Sequence, residues 1–217
     1  MKKINSKAAI PIKLRTTKLK YLYLALLFNQ PNFLIKDKII LGIDPGTTVM
    51  GYGIIHVKNN KVDLIAMGSI ELKKLETHFL KLQKIFERTN YLITEYKPDE
   101  VAIEAPFLGK NAQSMLKLGR AQGISIAAAL SLNIPVFEYS PKKIKMSITG
   151  KGTSSKEQVA AMLVSLLKIK NLPKHLDATD GLAVAMCHSF QNNTTSGEKS
   201  YSGWKAFVTQ NPKRAKN

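Results

Sequence analysis

The spacing of apolar residues changes along the middle of the chain and predicts five strands and five helices. The strands are expected at residues 39–43, 51–57, 62–72, 101–104 and 135–139. The helices are expected at residues 78–96 and 112–132, after Ser140-Pro141, after Ser154 or Ser155, and at about 178–190. Short connections favour an antiparallel meander for the first three strands, whereas helical crossovers favour parallel pairing of the others. We therefore expect an α/β fold with a five-stranded mixed sheet flanked by helices.

Serine residues mark the starts of two of these helices. Ser140 precedes Pro141, and proline is favoured at the first position of a helix. Ser154 is followed three residues later by Glu157, which is the spacing of a capping box. In such a box each side chain bonds the other residue's backbone, so the pair would fix the start of the helix.

Segments of different composition lie on either side of this domain, which is expected to comprise residues 39–190. Residues 1–38 carry nine basic residues and one acid, and we expect a flexible basic leader there. This leader contains one apolar run, from Tyr21 to Phe28, which is far shorter than the about 20 residues needed to span a bilayer. Residues 191–217 are expected to form a polar linker and a basic tail. In the tail, Trp204, Phe207 and Val208 have the spacing of one amphipathic helical turn. This turn either docks on its own domain or binds a partner.

Composition and charge narrow the class of protein. The 217 residues suffice for one ordinary domain, and 44% of them are hydrophobic, as in a globular core. A single cysteine excludes a disulfide framework and a cysteine-rich zinc site, and it favours the reducing environment of the cytoplasm. The formal net charge of +18 indicates a polyanionic partner such as nucleic acid, although ribosome-like proteins are basic as well.

Four acidic residues lie where predicted elements end or begin. Asp44 ends the first strand and Glu104 ends the fourth, at the carboxyl edge where open α/β sheets bind ligands. Asp177 and Asp180 are three residues apart, so they share one face at the start of the last helix. Each acid also has a purely structural explanation: an Asx turn at Asp44, a solvent-facing strand end at Glu104, or a helix cap at Asp177.

Two strand ends and a helix start can converge in this topology, and clustered carboxylates need cations to offset their repulsion. Carboxylate oxygens suit Mg²⁺ or Mn²⁺. Two such ions about 3.5–4 Å apart activate water and stabilise the alkoxide that leaves phosphorus. In a basic protein this chemistry predicts a metal-dependent nuclease. The four histidines are scattered, and His175 near Asp177 is interpreted as a surface residue.

Basic residues are concentrated in the half of the domain that follows Glu104. Residues 105–174 contain eleven basic residues and two acids, a net charge of +9. We expect phosphate contacts from six lysines there: Lys110, Lys142, Lys143, Lys145, Lys151 and Lys156. Glycines around Lys151 and the helix start that follows also suit a phosphate. The alternative is that these lysines form an ordinary solvated face.

An aromatic residue, Phe107, lies in the Pro-Phe-Leu-Gly loop three residues past Glu104. An exposed phenylalanine at this position would stack on an unpaired base. The alternative is a loop anchor that is buried under the edge of the sheet.

Several motifs resemble those of the RuvC-type crossover junction endodeoxyribonucleases. They are Gly42-Ile43-Asp44-Pro45-Gly46-Thr47, Ala102-Ile103-Glu104, Phe107 with Lys110-Asn111-Ala112, and residues 116–123, 135–139 and 177–185. The resemblance runs through residues 38–190 in order and without large gaps. Gly181 replaces a more usual alanine, and we expect it to loosen its helical turn by about 0.5–1 kcal/mol. The leader and the tail have no counterpart in the family's pattern.

The resemblance implies a ribonuclease-H-like fold and a homodimer that cuts four-way DNA junctions, or Holliday junctions, during recombination and repair. It implies Mg²⁺ dependence, with two ions per subunit and Mn²⁺ as a substitute, and partnership with the RuvA and RuvB branch-migration complex. By motif position the catalytic metal ligands are Asp44, Glu104, Asp177 and Asp180. Phe107 matches the junction-probing aromatic, Lys145 and Lys156 match DNA-contacting lysines, and the helix at residues 111–132 matches the dimer interface.

Three other functions share some of these features. A non-catalytic module that binds junctions or single-stranded DNA would use the lysines alone. A ribonuclease-H-like nuclease acting on RNA would use the same acids. An ATPase built on the phosphate loop at residues 44–48 would need a second lobe, for which 217 residues leave no room. Cleavage of different nucleic acids with and without a chelator separates these functions.

Overall fold

The computed structural model describes residues 37–59, 61–107, 111–170 and 176–193. Most of the predicted leader and most of the predicted tail, with the amphipathic spacing at Trp204, lie outside these ranges. Lys110 and His175 lie outside them as well.

Five strands form one mixed sheet. They are β1 (Lys38–Asp44), β2 (Val49–Lys58), β3 (Lys61–Glu71), β4 (Glu100–Glu104) and β5 (Val136–Tyr139). Their spatial order is β3-β2-β1-β4-β5. The first three strands pair antiparallel, whereas β4 pairs parallel with both β1 and β5. The carboxyl ends of β1, β4 and β5 therefore lie at one edge of the sheet, as the connection lengths predict.

Helices cover both faces of this sheet. They are α1 (His78–Tyr96), α2 (Ala112–Ser131), α3 (Pro141–Thr149), α4 (Lys156–Leu167) and α5 (Asp177–Asn193). Ile85 of α1 and Ala121 of α2 belong to the apolar cluster on one face. Ile144, Leu163 and Leu182, from the other three helices, belong to the cluster on the opposite face. The predicted fold class, a mixed sheet flanked by helices, is confirmed.

The starts of α3 and α4 are capped by serines, and the predicted capping box of α4 needs a correction. Ser140 accepts a hydrogen bond from the Lys143 backbone N–H at 3.3 Å. The capping box of α4 consists of Ser155 and Gln158, with hydrogen bonds of 3.3 and 3.0 Å, and the prediction of Ser154 with Glu157 is wrong. The reason is tertiary, because Ser154 is buried and its hydroxyl lies 2.8 Å from that of Thr149.

Glycines let α5 lie almost against the backbone of β1 and β2. A Cβ on Gly42 would lie 2.2 Å from the Gly181 carbonyl oxygen, and one on Gly53 would lie 2.4 Å from Leu182 Cα. A Cβ on Gly181 itself would lie 2.4 Å from Tyr52 Cα. Gly181 is thus needed for a close backbone approach, and its predicted effect on the helical turn is secondary.

A chain of polar side chains connects α5 with β4 and β5. The Tyr139 hydroxyl lies 2.6 Å from His188 Nδ1, and His188 Nε2 lies 2.8 Å from Glu100 Oε2. Lys38 Nζ donates to the other oxygen of Glu100 at 2.5 Å. With Nε2–H donating to the carboxylate, Nδ1 accepts from the tyrosine hydroxyl. A neutral imidazole therefore satisfies both neighbours of His188, which is only 1% exposed.

The pH dependence of stability should reveal this buried imidazole. Burial lowers the pKa of His188 below its ordinary value of 6.5, although Glu100 opposes the shift. The unfolded chain therefore takes up a proton on acidification before the folded protein does, and stability is lost as the pH falls below 6.5. On acidification, we expect the advantage in free energy of unfolding that the wild type has over His188→Gln to shrink. The loss should be about 1.4 kcal/mol for each unit by which the pKa of His188 in the folded protein lies below that in the unfolded chain.

Urea unfolding of both proteins at several pH values between about 8 and 5 measures this advantage. Comparing the two proteins cancels the contributions of other titrating groups that the substitution leaves unchanged. An advantage that stays constant with pH would contradict a neutral His188 in the folded protein.

Candidate active site

Three of the four predicted acids line one cavity at the carboxyl edge of the sheet. Asp44 ends β1 and Glu104 ends the parallel neighbour β4, so the two strand ends lie side by side. Asp180 reaches the same cavity from the first turn of α5. The cavity has a volume of about 70 Å³, and Lys145 and Lys156 complete its polar lining.

Asp177, the fourth acid, lies beside the cavity. Its side chain is 39% exposed, whereas that of Asp180 is 13% exposed. Gly51 pairs with Asp44 across β1 and β2, and a Cβ on Gly51 would lie 2.0 Å from the Asp177 carbonyl oxygen. The absence of a side chain at Gly51 therefore brings the start of α5 close to the end of β1.

Burial and mutual repulsion make these carboxylates hard to ionise together. Burial raises the pKa of Asp44, and the charge of Asp180 raises it further. Burial also raises the pKa of Glu104, to which the charges of Asp44 and Asp180 add. The pKa of Asp180 is raised by burial, although the hydrogen bond from Lys156 opposes the shift. Such perturbed groups in a cleft are typical of functional sites, and a bound cation would relieve their repulsion.

One ammonium group already contacts these acids. Lys156 Nζ lies 2.5 Å from Asp180 Oδ2 and 3.9 Å from Asp177 Oδ1. Burial would lower the pKa of Lys156, but the hydrogen bond and charge of Asp180, with the charges of Asp44 and Asp177, raise it. Lys156 is also the first residue of α4, where the helix dipole disfavours a cation. The carboxylates opposite it offset this unfavourable position.

The acids fit a divalent metal by their chemistry. Within the four described ranges, no three acidic, histidine or cysteine side chains are already arranged around one point as metal ligands. Three carboxylates nevertheless line a single cavity, and oxygens of this kind are the ligands that Mg²⁺ and Mn²⁺ prefer. The present arrangement, in which Asp180 binds Lys156, therefore needs side-chain adjustment before the acids share an ion.

The predicted DNA-contacting lysines lie at several places around the cavity. Lys145 and Lys156 line it, as described above. Lys143 Nζ lies 5.0 Å from the centroid of the Tyr139 ring, in a cation–π contact beside the end of β5. Lys142 packs against Gly152, and Lys151 lines a separate cavity of about 520 Å³ beside α4.

Phe107 is 72% exposed in the loop that follows β4. The alternative of an anchor buried beneath the sheet edge is therefore wrong. An exposed ring three residues beyond Glu104 is available for stacking.

Sequence reasoning missed the residues that support the acids. Gly51 and Gly181 set the distance between α5 and the sheet. The signal in the sequence that could have revealed them is a glycine within a strand or a helix, which often marks a close approach of another backbone. His188 was interpreted only as one of four scattered histidines. Its role depends on Glu100, which is 88 residues away in the chain, so no local pattern could reveal the pair.

Comparison with known proteins decides the family. The family model described as crossover junction endodeoxyribonuclease RuvC matches residues 40–188. The chain belongs to the RuvC family. A RuvC relative from Christiangramia forsetii is 60% identical over 186 residues, which are 86% of this chain and 97% of the relative. One from Bacteroides fragilis is 58% identical over 184 residues, 84% of this chain and 98% of the relative.

Solved structures agree with this assignment. The RuvC of Thermus thermophilus in complex with a Holliday junction substrate is 30% identical to this chain, with a TM-score of 0.66. The superposition covers 71% of this chain and 94% of the Thermus chain. A yeast mitochondrial Holliday junction resolvase at 16% identity has a TM-score of 0.51, covers 69% of this chain and 78% of its own, and shares the fold alone. The predicted ribonuclease-H-like fold is confirmed.

Membership of the RuvC family confirms the predicted activity. The chain is a crossover junction endodeoxyribonuclease, an enzyme that cleaves DNA, from a family of metal-dependent nucleases. A purely DNA-binding module and an ATPase are thereby excluded. In the part of the chain that the structure describes, no helix has the length and apolarity needed to cross a bilayer.

Proposed function

We propose that this RuvC-family enzyme resolves Holliday junctions by metal-dependent hydrolysis at Asp44, Glu104, Asp177 and Asp180. The observation that carries this proposal is the convergence of acids from β1, β4 and α5 on one cavity in a strongly basic protein. The junction complex of the Thermus relative supports the choice of substrate.

The metal is Mg²⁺, with two ions per subunit and Mn²⁺ as a substitute. When bound, such ions lower the pKa of a water molecule and stabilise the alkoxide that leaves phosphorus. Asp44 and Asp180 would hold one ion, and Glu104 and Asp177 would complete the pair. The carboxylates would then remain ionised, because the cations would offset the burial and the mutual repulsion that raise their pKa.

The remaining residues around the cavity bind and orient DNA. Lys145 presents an ammonium group to the scissile phosphate, while Ile144 and Val159 exclude water from the apolar side of the cavity. Phe107 stacks on a base at the branch point. The further lysines would contact phosphates along the arms, with Lys156 nearer the acids: Lys110, Lys142, Lys143, Lys151 and Lys156.

The proposal is tested with a synthetic four-way junction and a linear duplex of the same sequence. Cleavage of the junction should require Mg²⁺ or Mn²⁺ and should stop on addition of a chelator. The two nicks should lie at symmetric positions in strands of like polarity. A matched RNA–DNA hybrid separates junction resolution from ribonuclease activity on RNA. Preference for the hybrid, or junction cleavage in excess chelator, would contradict the proposal.

The proposed dimer forms through α2 and its flanking residues, over the helix region from Asn111 to Leu132. Its outer surface carries Leu116 and Leu130, which are 57% and 56% exposed. Between them lie Gly119 and Gly123, where a Cβ would have no contact within 4 Å with other parts of the described structure. Small residues between exposed leucines allow two helices to approach closely. The dimer would give two active sites and hence paired nicks.

Placing a charge on this surface should separate the subunits. We expect Gly123→Arg to weaken the dimer by about 100-fold, because a buried unpaired guanidinium costs several kcal/mol. Gln83→Arg, which adds the same side chain to an exposed position on α1, serves as the control. Sedimentation velocity over a range of concentrations measures the dissociation. A Gly123→Arg protein as dimeric as the control would contradict this interface.

RuvA and RuvB are the proposed protein partners, and the cytoplasm is the proposed location. Membership of the family and the DNA substrate support both proposals. Pull-down by RuvA and RuvB assembled on a junction, compared with each alone, tests the partnership.

We propose that the nuclease domain comprises residues 39–190, between a basic leader and a basic tail. β1 already begins at Lys38, whose ion pair with Glu100 belongs to the folded domain. Deleting residues 1–35 keeps that contact and removes seven lysine and arginine residues. We expect weaker nonspecific DNA binding with a shallower salt dependence, because fewer phosphates are neutralised. Junction cleavage should be unchanged, and its loss would contradict a dispensable leader.

A further inference from the structure

Lys156 occupies the position in which a cation balances the acids of the site. Its Nζ donates a hydrogen bond to Asp180 Oδ2 at 2.5 Å and lies 3.9 Å from Asp177 Oδ1. The Asp180 oxygen that accepts this hydrogen bond cannot also hold a metal ion at the same place. The Asp180 side chain is nearly buried and offers few other positions for a cation. Among the described residues, the carboxylates form no ready set of metal ligands in this arrangement.

The backbone of Lys156 is fixed by a helix cap, whereas its side chain borders on solvent. The capping box of Ser155 and Gln158 holds the start of α4 in place. The Lys156 side chain itself is 54% exposed and ends on a flexible four-carbon stem. It therefore has an open path to solvent without any change in α4.

We propose that Lys156 is the counter-ion of the metal-free site and that a divalent ion binds by displacing it from Asp180. This inference rests on the proposed function, since it assumes that the four acids hold the metal. The displaced ammonium then faces solvent at the rim of the cavity, where a DNA phosphate arrives. Lys156 thereby excludes the metal when it is on Asp180 and becomes available to DNA when the metal is bound. It is a positioning residue that couples the two events.

The affinity of the DNA-free protein for Mn²⁺ tests this competition by titration calorimetry. Lys156→Met keeps the length of the side chain and removes its charge, so we expect Mn²⁺ to bind about tenfold more tightly. Lys145→Met is the matched control, because Lys145 lines the same cavity but makes no ion pair with an acid among the described residues. A general effect of charge would shift both variants alike and would overturn the proposal. Unchanged or weaker binding in Lys156→Met would overturn it too.

A second measurement follows the wild-type chain and uses a variant, Lys156→Arg, only to assign one signal. Nitrogen-15 NMR of the lysine ammonium groups should show the Lys156 signal, identified by its loss in Lys156→Arg, move to the solvent-exposed range at saturating Mg²⁺. An unmoved signal at saturation would overturn the proposal. If the wild type bound neither Mn²⁺ nor Mg²⁺, the proposed metal site would fail as well. Metal binding with normal cleavage but no response of Lys156 would overturn this inference alone.

Discussion

Replacing Asp44 with asparagine is expected to slow junction cleavage by about 10³-fold or more, with junction binding unchanged. Asp44 ends β1 in the cavity shared with Glu104 and Asp180, and an amide cannot supply the charge that holds a divalent ion there. The substitution should not destabilise the protein. Burial and the neighbouring carboxylates already disfavour the ionised form of Asp44, and they raise its pKa for that reason.

Single-turnover cleavage of a labelled junction, gel-shift binding in chelator and urea unfolding measure these three properties. Asp63→Asn is the control, because it makes the same chemical change at an exposed residue of β3 that pairs with Lys61. Cleavage at the wild-type rate would show that the assignment of Asp44 is wrong. Loss of binding or of stability would indicate a structural role instead.

Adding one methyl group at Gly53 is expected to lower the free energy of unfolding by about 2–3 kcal/mol. The new Cβ would lie 2.4 Å from Leu182 Cα, and a backbone atom of a buried helix cannot move aside cheaply. The displaced helix, α5, also carries Asp177 and Asp180, so the cleavage rate should fall with the stability.

Urea unfolding with the midpoint and slope fitted separately measures this effect. Ser69→Thr is the matched control, since it adds the same methyl group at an exposed position of β3, and threonine is favoured in strands. If Gly53→Ala were no less stable than wild type, the close approach of α5 to β2 would be disproved.

Local signals predicted the elements well, and their limits are visible at particular residues. The helix at residues 78–96 was predicted to the residue, since its apolar stripe is regular and Pro98 lies just beyond its end. For α4 the sequence leaves the start open between Ser154 and Ser155, and only the capping box, predicted at Ser154 with Glu157, is wrong. Ser154 and Ser155 carry equivalent local signals, and only the contact of Ser154 with Thr149 distinguishes them.

The acids were predictable because topology alone brings the ends of parallel strands to one edge. Their environment was not. The ion pair of Lys156 with Asp180 joins residues 24 positions apart on two helices, and the sequence does not show how those helices face each other. The same limit applies to Gly181, since its need for space depends on Tyr52 of β2.

The burial of α5 has a consequence for the DNA. Residues 178–189 of this helix are buried with the partial exception of Asp180, so the backbone that carries Asp180 is firmly held even though its side chain can turn. Because that backbone cannot shift to meet a phosphate, we expect the substrate to supply the bending. Smooth bending of a linear duplex costs about 1–6 kcal/mol, whereas a branch point is already interrupted and hinged. If these acids form the proposed active site, a firmly held site favours junctions because the nucleic acid supplies the distortion.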